Sequence, residues 1–270
     1  MKSESPSSTS RRAAPMAMSG VLAAALGFAP AALAELEWVL APYLWASDVV
    51  LDATINGDQN LGNDVSFSDL IDKVDLAFMG HGEVRGENWG AFADAIYITL
   101  SDETTRNISI GPGPGVDLDV EGDLTMEIYE LGGFYRMGEV APGSAEVDLM
   151  LGARTIDMDL DIDITLPAPP GAQIGPNSSQ SETDVFAGVR VIGLFNDRWG
   201  YKLRADYGEG GTEGTLNLMG TIGYTFGDGL FTLDVGYRHF EVELANDSGA
   251  INTETDIEMS GPLVGFIFAF

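Results

Sequence analysis

Gly261-Pro262-Leu263-Val264-Gly265-Phe266-Ile267-Phe268-Ala269-Phe270 is the stretch whose reading decides the fold. Pro262, Val264, Phe266, Phe268 and Phe270 fall on one side of a two-residue repeat, and Gly261, Leu263, Gly265, Ile267 and Ala269 on the other. A repeat of two belongs to a β-strand, whose successive side chains point to opposite faces. Neither face carries a charge, so the bulky face is kept from water. It either packs in the core of a sandwich or turns towards lipid.

Working outward from this strand, nine further segments alternate in the same way, and helical periodicity is almost absent. The ten expected strands cover residues 36–47, 76–86, 89–100, 124–137, 145–160, 184–195, 199–207, 215–226, 230–244 and 256–270. Short links (87–88, 138–144, 196–198, 227–229) alternate with long ones (48–75, 101–123, 161–183, 208–214, 245–255). A transmembrane barrel sorts its connections in this manner, with short periplasmic turns and long extracellular loops. The links predict an all-β, antiparallel transmembrane barrel of ten strands. Eight strands with one extracellular hairpin is the alternative.

Within the strands one face is apolar and the other polar. Trp199, Tyr201, Leu203, Ala205 and Tyr207 oppose Lys202, Arg204 and Asp206, and Leu216, Leu218, Ile222, Tyr224 and Phe226 oppose Asn217, Thr221 and Thr225. An Arg or Lys turned to lipid near the midplane costs about 2–4 kcal/mol, so the charged faces belong inside. The residues expected inside are His81, Glu83, Arg85, Asp94, Glu130, Arg136, Asp148, Arg154, Arg190, Lys202, Arg204, Asp206, Asp234 and Arg238. A narrow barrel fills its lumen with side chains, and buried charges there must be paired. A constricted polar conduit whose arginines favour anions is the other reading. Trp38, Trp45, Trp89, Trp199, Tyr207 and Tyr224, at strand ends, are expected in the interfacial girdles.

The opposite end of the chain points to export. Lys2, Arg11 and Arg12 precede an apolar, Ala-rich stretch over 16–29, and Ala32-Leu33-Ala34 supplies a small-x-small cleavage pattern. Residues 1–34 are expected to be a secretory signal peptide and 35–270 the barrel domain. Ala13 and Ala14 stand where the twin-arginine route uses a bulky apolar pair, which leaves the general secretory route. The sequence has no cysteine, so disulfides play no part in the fold. With 42 acidic residues against 13 basic ones, net charge −29, the chain repels nucleic acid and attracts cations. Loss of residues 1–34 would remove Lys2, Arg11 and Arg12 against one acid, Glu4.

Two resemblances bear on the location. An aromatic final residue closing an alternating strand, here Phe266, Phe268 and Phe270, resembles the sorting signal of Gram-negative outer-membrane barrels. Ala41-Pro42-Tyr43-Leu44-Trp45, Val65-Ser66-Phe67-Ser68-Asp69-Leu70, Phe78-Met79-Gly80-His81, Gly152-Ala153-Arg154, Gly236-Tyr237-Arg238 and Gly261-Pro262 together carry a second. They are similar to a family of largely uncharacterised proteobacterial outer-membrane barrels, loosely akin to the outer-membrane-protein-A-like barrels. The resemblance implies an integral outer-membrane position among lipid and lipopolysaccharide, and assembly by the barrel machinery. It hands over no catalytic residue.

Side-chain chemistry beyond the lumen is sparse. Of the two histidines, His81 and His239, the latter lies near the outer end of its strand. No Ser-containing motif in the sequence stands beside it, and an enzyme acting on lipid or peptide is the least favoured function class. Asp157, Asp159, Asp161 and Asp163 share one face and are either a solvated, self-repelling surface or a weak divalent-cation site. Asp117, Asp119, Glu121, Gly122 and Asp123 begin like a calcium loop, but Ile128 replaces its bidentate Glu. Residues 66–74 have capping-box spacing for a short helix over the barrel mouth. No cofactor is expected. A structural or surface-interacting barrel comes first among functions and a narrow small-solute porin second.

If the terminal aromatic face is the assembly signal, Phe268→Ser with Phe270→Ser, or removal of Phe270, sharply lowers the amount of protein in the membrane fraction. Normal membrane levels of the double variant would show that the aromatic pattern is incidental.

Overall fold

The computed structural model describes residues 36–55, 59–65, 68, 71, 73–108, 116–141, 145–166, 172–174, 177–227, 229, 231–248 and 251–270. The proposed signal segment and most of the helix expected at 66–74 lie outside them. The strands are β1 (Glu37–Trp45), β2 (Asp48–Ile55), β3 (Gln59–Val65), β4 (Val74–Arg85), β5 (Trp89–Ile108), β6 (Val116–Ala141) and β7 (Ala145–Leu166). They continue with β8 (Ala172–Ile174), β9 (Asn177–Leu194), β10 (Trp199–Gly210), β11 (Gly214–Phe226), β12 (Phe231–Ser248) and β13 (Ile251–Ala269).

All neighbours are antiparallel, and β1 pairs with both β4 and β13, which closes the sheet into a barrel. β1 and β2 form one stave. The register that sets Val39 opposite Ala269 and Trp45 opposite Leu263 continues unbroken as Asp48 opposite Ser260 and Ile55 opposite Thr253. β3 and β4 share the next stave, so the wall has ten staves, with β8 a short addition to the tip of β7. Closure leaves few backbone edges unpaired, which is the condition for a strand-built wall in hydrocarbon.

The links sort as expected, but most of the long ones are shorter than the alternation implied. β5 runs on to Ile108, β6 starts at Val116, β7 reaches Leu166 and β9 begins at Asn177. Residues 48–55 and 59–65 pair as β2 and β3 rather than lying in a loop. The Asp157–Asp163 alternation therefore belongs to a two-faced strand extending past the apolar band, not to a loop. Asp117, Asp119, Glu121 and Asp123 are likewise in extended β6, which rules out a calcium-loop turn there. At the opposite end the turns are tight. Gly227 and Gly229 have φ of 60° and 100°, and the Asn196 side-chain oxygen accepts the N–H groups of Arg198 and Trp199.

The outer face carries the apolar belt. Leu40, Leu44, Phe78, Leu131, Leu151, Val185, Leu203, Leu218, Val235, Val264 and Phe266 are all exposed. Trp38, Trp89, Trp199, Tyr135, Phe268 and Phe270 form an aromatic rim at the turn end, while Tyr207 and Tyr237 stand towards the loop end. Trp45 departs from the expected girdle. It is an odd-numbered residue of β1, on the inward parity opposite exposed Leu44, and only 4% of it is accessible.

On the inner face, glycines let large rings lie along the wall. A Cβ at Gly152 would sit 2.6 Å from the Leu131 carbonyl oxygen and 2.6 Å from the Phe186 ring, and Gly90 is covered in the same way by Phe134. Phe92, Phe134, Met150 and Phe186 thereby pack together inside the turn-side half.

Candidate functional site

Two rows of cross-strand neighbours, two residues apart along each strand and so on the same inward face, divide the lumen. His81, Asp94, Glu130 and Arg154 lie side by side on β4, β5, β6 and β7. The next inward row towards the loops is Met79, Ile96, Ile128 and Ile156. The lumen thus changes from charged to apolar within a single step, with a plug on the turn side and a chamber on the loop side.

Arg154 is the centre of the plug and is fully buried. Its Nε donates to Glu130 Oε1 at 2.9 Å, one terminal nitrogen donates to Thr215 Oγ1 at 2.9 Å, and the other donates to Asp206. Arg204 bridges the same two acids, from Nε to Asp206 at 2.6 Å and from Nη2 to Glu130 at 2.7 Å. Asn217 donates to Asp206 at 2.9 Å and accepts from Arg238 Nε at 3.0 Å. Arg238 lies against Tyr43, whose hydroxyl donates to Asp94 at 2.7 Å. A second cluster follows towards the turns: Arg190 joins Glu83 and Asp148, Arg85 donates to Glu83 at 2.6 Å, and Arg136 donates to Asp148 at 3.1 Å. His81 touches both Asp94 and Glu83, each at 3.2 Å, and links the clusters.

Aromatic faces complete the coordination of the guanidinium groups. Arg154 stacks over Phe186 at 4.8 Å and Phe240 at 4.9 Å, Arg190 over Phe134 at 4.4 Å, and Arg238 over Trp45 at 5.0 Å. An arginine held by carboxylates at its edge and by rings on its face has little need of water. The space left among these side chains is about 70 Å³.

All fourteen charged residues read from the sequence stand on the inner face, with Lys202 and Asp234 3.6 Å apart at its margin. Tyr43, Thr215 and Asn217 also belong to the lattice, as neutral links between charges. Their strand parity assigns them to the inside, although none carries a charge that would mark it in the sequence. Asp184 stands inside as well; its carboxylate is buried and accepts the Thr212 N–H at 2.9 Å and hydroxyl at 2.6 Å.

His239 stands on the outer face of β12. The sequence shows no serine near it, yet the β13 register brings Ser260 opposite, with Oγ 2.7 Å from Nδ1. Ser260 Oγ also donates to Glu258 at 3.2 Å, and His239 Nε2 is 3.9 Å from Glu241, beyond hydrogen-bond reach. The imidazole Nδ1 is also 3.5 Å from Glu258 Oε1. Asp157, Asp159, Asp161 and Asp163 face outward opposite Glu127, Thr125, Asp123 and Glu121 of β6, as a broad acidic plate.

Arg154→Met should cost about 3–5 kcal/mol, because it leaves Glu130 and Asp206 with uncompensated buried charge. The check is a urea titration that follows the fast-migrating, unheated band on a gel. Adding Asp206→Asn should recover part of the loss.

No family model matches the chain, and no curated protein matches it. Among solved structures, the outer-membrane protease OmpT from Escherichia coli is similar at 8% identity and a TM-score of 0.51, over 87% of this chain and 97% of that one. The attachment invasion locus protein Ail of Yersinia pestis aligns at 10% identity and a TM-score of 0.32, over 87% and 98%. At such identity the similarity to OmpT is one of fold. The chain has the closed antiparallel architecture of the outer-membrane β-barrels.

Proposed function

We propose that this protein is an integral barrel of a bacterial outer membrane with a lumen closed to solutes, and that its role is structural or exerted at its surface. The apolar belt and aromatic rim fit a wall surrounded by lipid. The observation that carries the closed reading is the Arg154 lattice. Glu130 and Asp206 are each shared by Arg154 and Arg204, and these four side chains come from β6, β7 and β10 to meet inside the barrel. An ion passing this level would have to separate buried, mutually satisfied pairs, and nothing on its path offers to replace them.

The turn end, where β1 starts and β13 stops, faces the periplasm in this reading, and the acidic extensions of β5, β6, β7 and β9 stand outside the cell. Those extensions are where a surface partner would meet the protein. Their negative charge suits divalent cations shared with lipopolysaccharide phosphates, at low affinity and without a dedicated cage.

Planar-bilayer recording tests the proposal. The wild type is expected to be silent across a wide voltage range. Reproducible conductance steps would replace the closed reading with that of a narrow porin, and Arg204→Glu should then shift its ion selectivity.

A further inference from the structure

His239 and Ser260 are cross-strand neighbours on the outer face of β12 and β13, and Leu218 of β11 completes their row. On the turn side of the row the outward residues are Val235 and Tyr237 on β12 and Pro262, Val264 and Phe266 on β13, all exposed. On its loop side Glu241 stands opposite Glu258. The Ser–His pair is therefore the first polar step beyond the apolar belt on these two strands.

Three polar atoms meet there. Ser260 Oγ is 2.7 Å from His239 Nδ1 and 3.2 Å from Glu258 Oε1, and Nδ1 and Oε1 are 3.5 Å apart. A hydroxyl in reach of an imidazole nitrogen, which itself faces a carboxylate, is the arrangement that activates serine as a nucleophile. Of the His239 side chain 28% is accessible, so a substrate can reach the pair.

A second feature leads to the same place. The outer wall carries an open groove of about 450 Å³, lined by Val189, Leu203, Leu218, Gly220 and Tyr237 and bordered by His239. Gly220 lies opposite both Leu203 and Tyr237 and has no side chain to fill the space between them. The size is that of a small-molecule site, and the apolar walls suit a hydrocarbon chain. Its polar end is the Ser–His pair.

We propose that Ser260 is the nucleophile and His239 the general base of a hydrolytic site for acyl esters of membrane lipids, with the acyl chain lying in the groove. The inference rests on the outer-membrane placement above and not on the closed lumen. With the loop end outside the cell, the row lies between the hydrocarbon and the head groups of the outer leaflet, where ester carbonyls stand. Ser260 Oγ adds to the carbonyl carbon and its proton passes to His239 Nδ1. The bond to the alcohol oxygen breaks, and that oxygen takes the proton from the imidazolium. Water then adds to the acyl-serine and gives a proton to Nδ1, which returns it to Ser260 Oγ as the fatty acid leaves. The sum is ester plus water to acid plus alcohol. Glu258 faces the protonated nitrogen and positions the ring. The carboxylates also oppose the oxyanion of the intermediate, so turnover is slow and covalent capture is the first readout.

The test treats the full barrel in detergent with a long-chain fluorophosphonate. Attack by Ser260 Oγ forms a P–O bond, expels fluoride and leaves the proton on His239. One tag per chain is expected, placed at position 260 by peptide mass, absent in Ser260→Ala and slowed about a hundredfold or more in His239→Gln. Both substitutions are on the outer face, so the variants should keep the fast unheated band. Unlabelled Ser260, or labelling indifferent to His239, would overturn the proposal. In phosphatidylethanolamine vesicles the wild type should release fatty acid faster than Ser260→Ala, and equal release would also overturn it. Gly220→Leu, which fills the groove, should lower that release several-fold more than it lowers cleavage of a soluble butyrate ester. An equal loss on both esters would contradict the acyl groove.

Discussion

Buried charge that must find its partner within the barrel is the constraint on which the rest of this structure depends. Arginines and carboxylates cannot face hydrocarbon, and inside a narrow lumen water cannot solvate them all. They are therefore set on strands whose registers make them neighbours. Asp94, Glu130 and Arg154 sit in one cross-strand row, and Asp206 and Arg204 reach the same point from β10. Glycine at positions 90 and 152 keeps the wall thin enough for Phe134 and Phe186 to lie flat under the guanidinium groups. The lattice holds the barrel's cross-section as a core holds a soluble domain, with charge pairing in the place of hydrophobic burial.

Once the turn-side half is filled in this way, the loop-side half is free to differ. Its inner face is built of Ile96, Ile128, Ile156, Phe240, Val242 and Ile257, an interior closer to that of a soluble protein than to that of a pore. Proline shapes the seam beside it. Extending the Leu40–Phe268 register puts Pro42 opposite Phe266 and Pro262 opposite Ala46, at positions of the kind where Trp38 and Phe270 exchange both hydrogen bonds. Proline has no N–H to give, so one bond is missing at each, and only the Ala46 N–H to Pro262 oxygen remains at the upper one. Gly261 lets the Ala46 carbonyl come closer than any side chain would permit, since a Cβ there would lie 1.9 Å from that oxygen.

Strand parity made much of this legible. Alternation in 256–270 and 199–207 distinguishes inside from outside, and a charge inside a lipid-facing wall has one place to go, so the members of the lattice can be read before their contacts. Height is another matter. Parity assigns Met79 and His81 to the same face, but it does not say that one row is wholly apolar and the next wholly charged; that follows only from the registers of four strands. Its place at the end of an aromatic-rich strand suggests a girdle for Trp45, whereas its odd number puts it with Tyr43 in the lumen. The Ser260–His239 contact is hidden for a similar reason, since its members are joined by pairing and not by sequence.

The central claim is that the lumen is divided, with a sealed charged half below an apolar half. The absence of native cysteine gives a clean background for testing it by single-cysteine labelling with a charged, membrane-impermeant thiol reagent in oriented vesicles. Cysteine at Met126 in the chamber should react from the loop side only, and cysteine at Met150, below the plug, from the turn side only. Reaction of either position from both sides would show a continuous aqueous path and contradict the divided lumen.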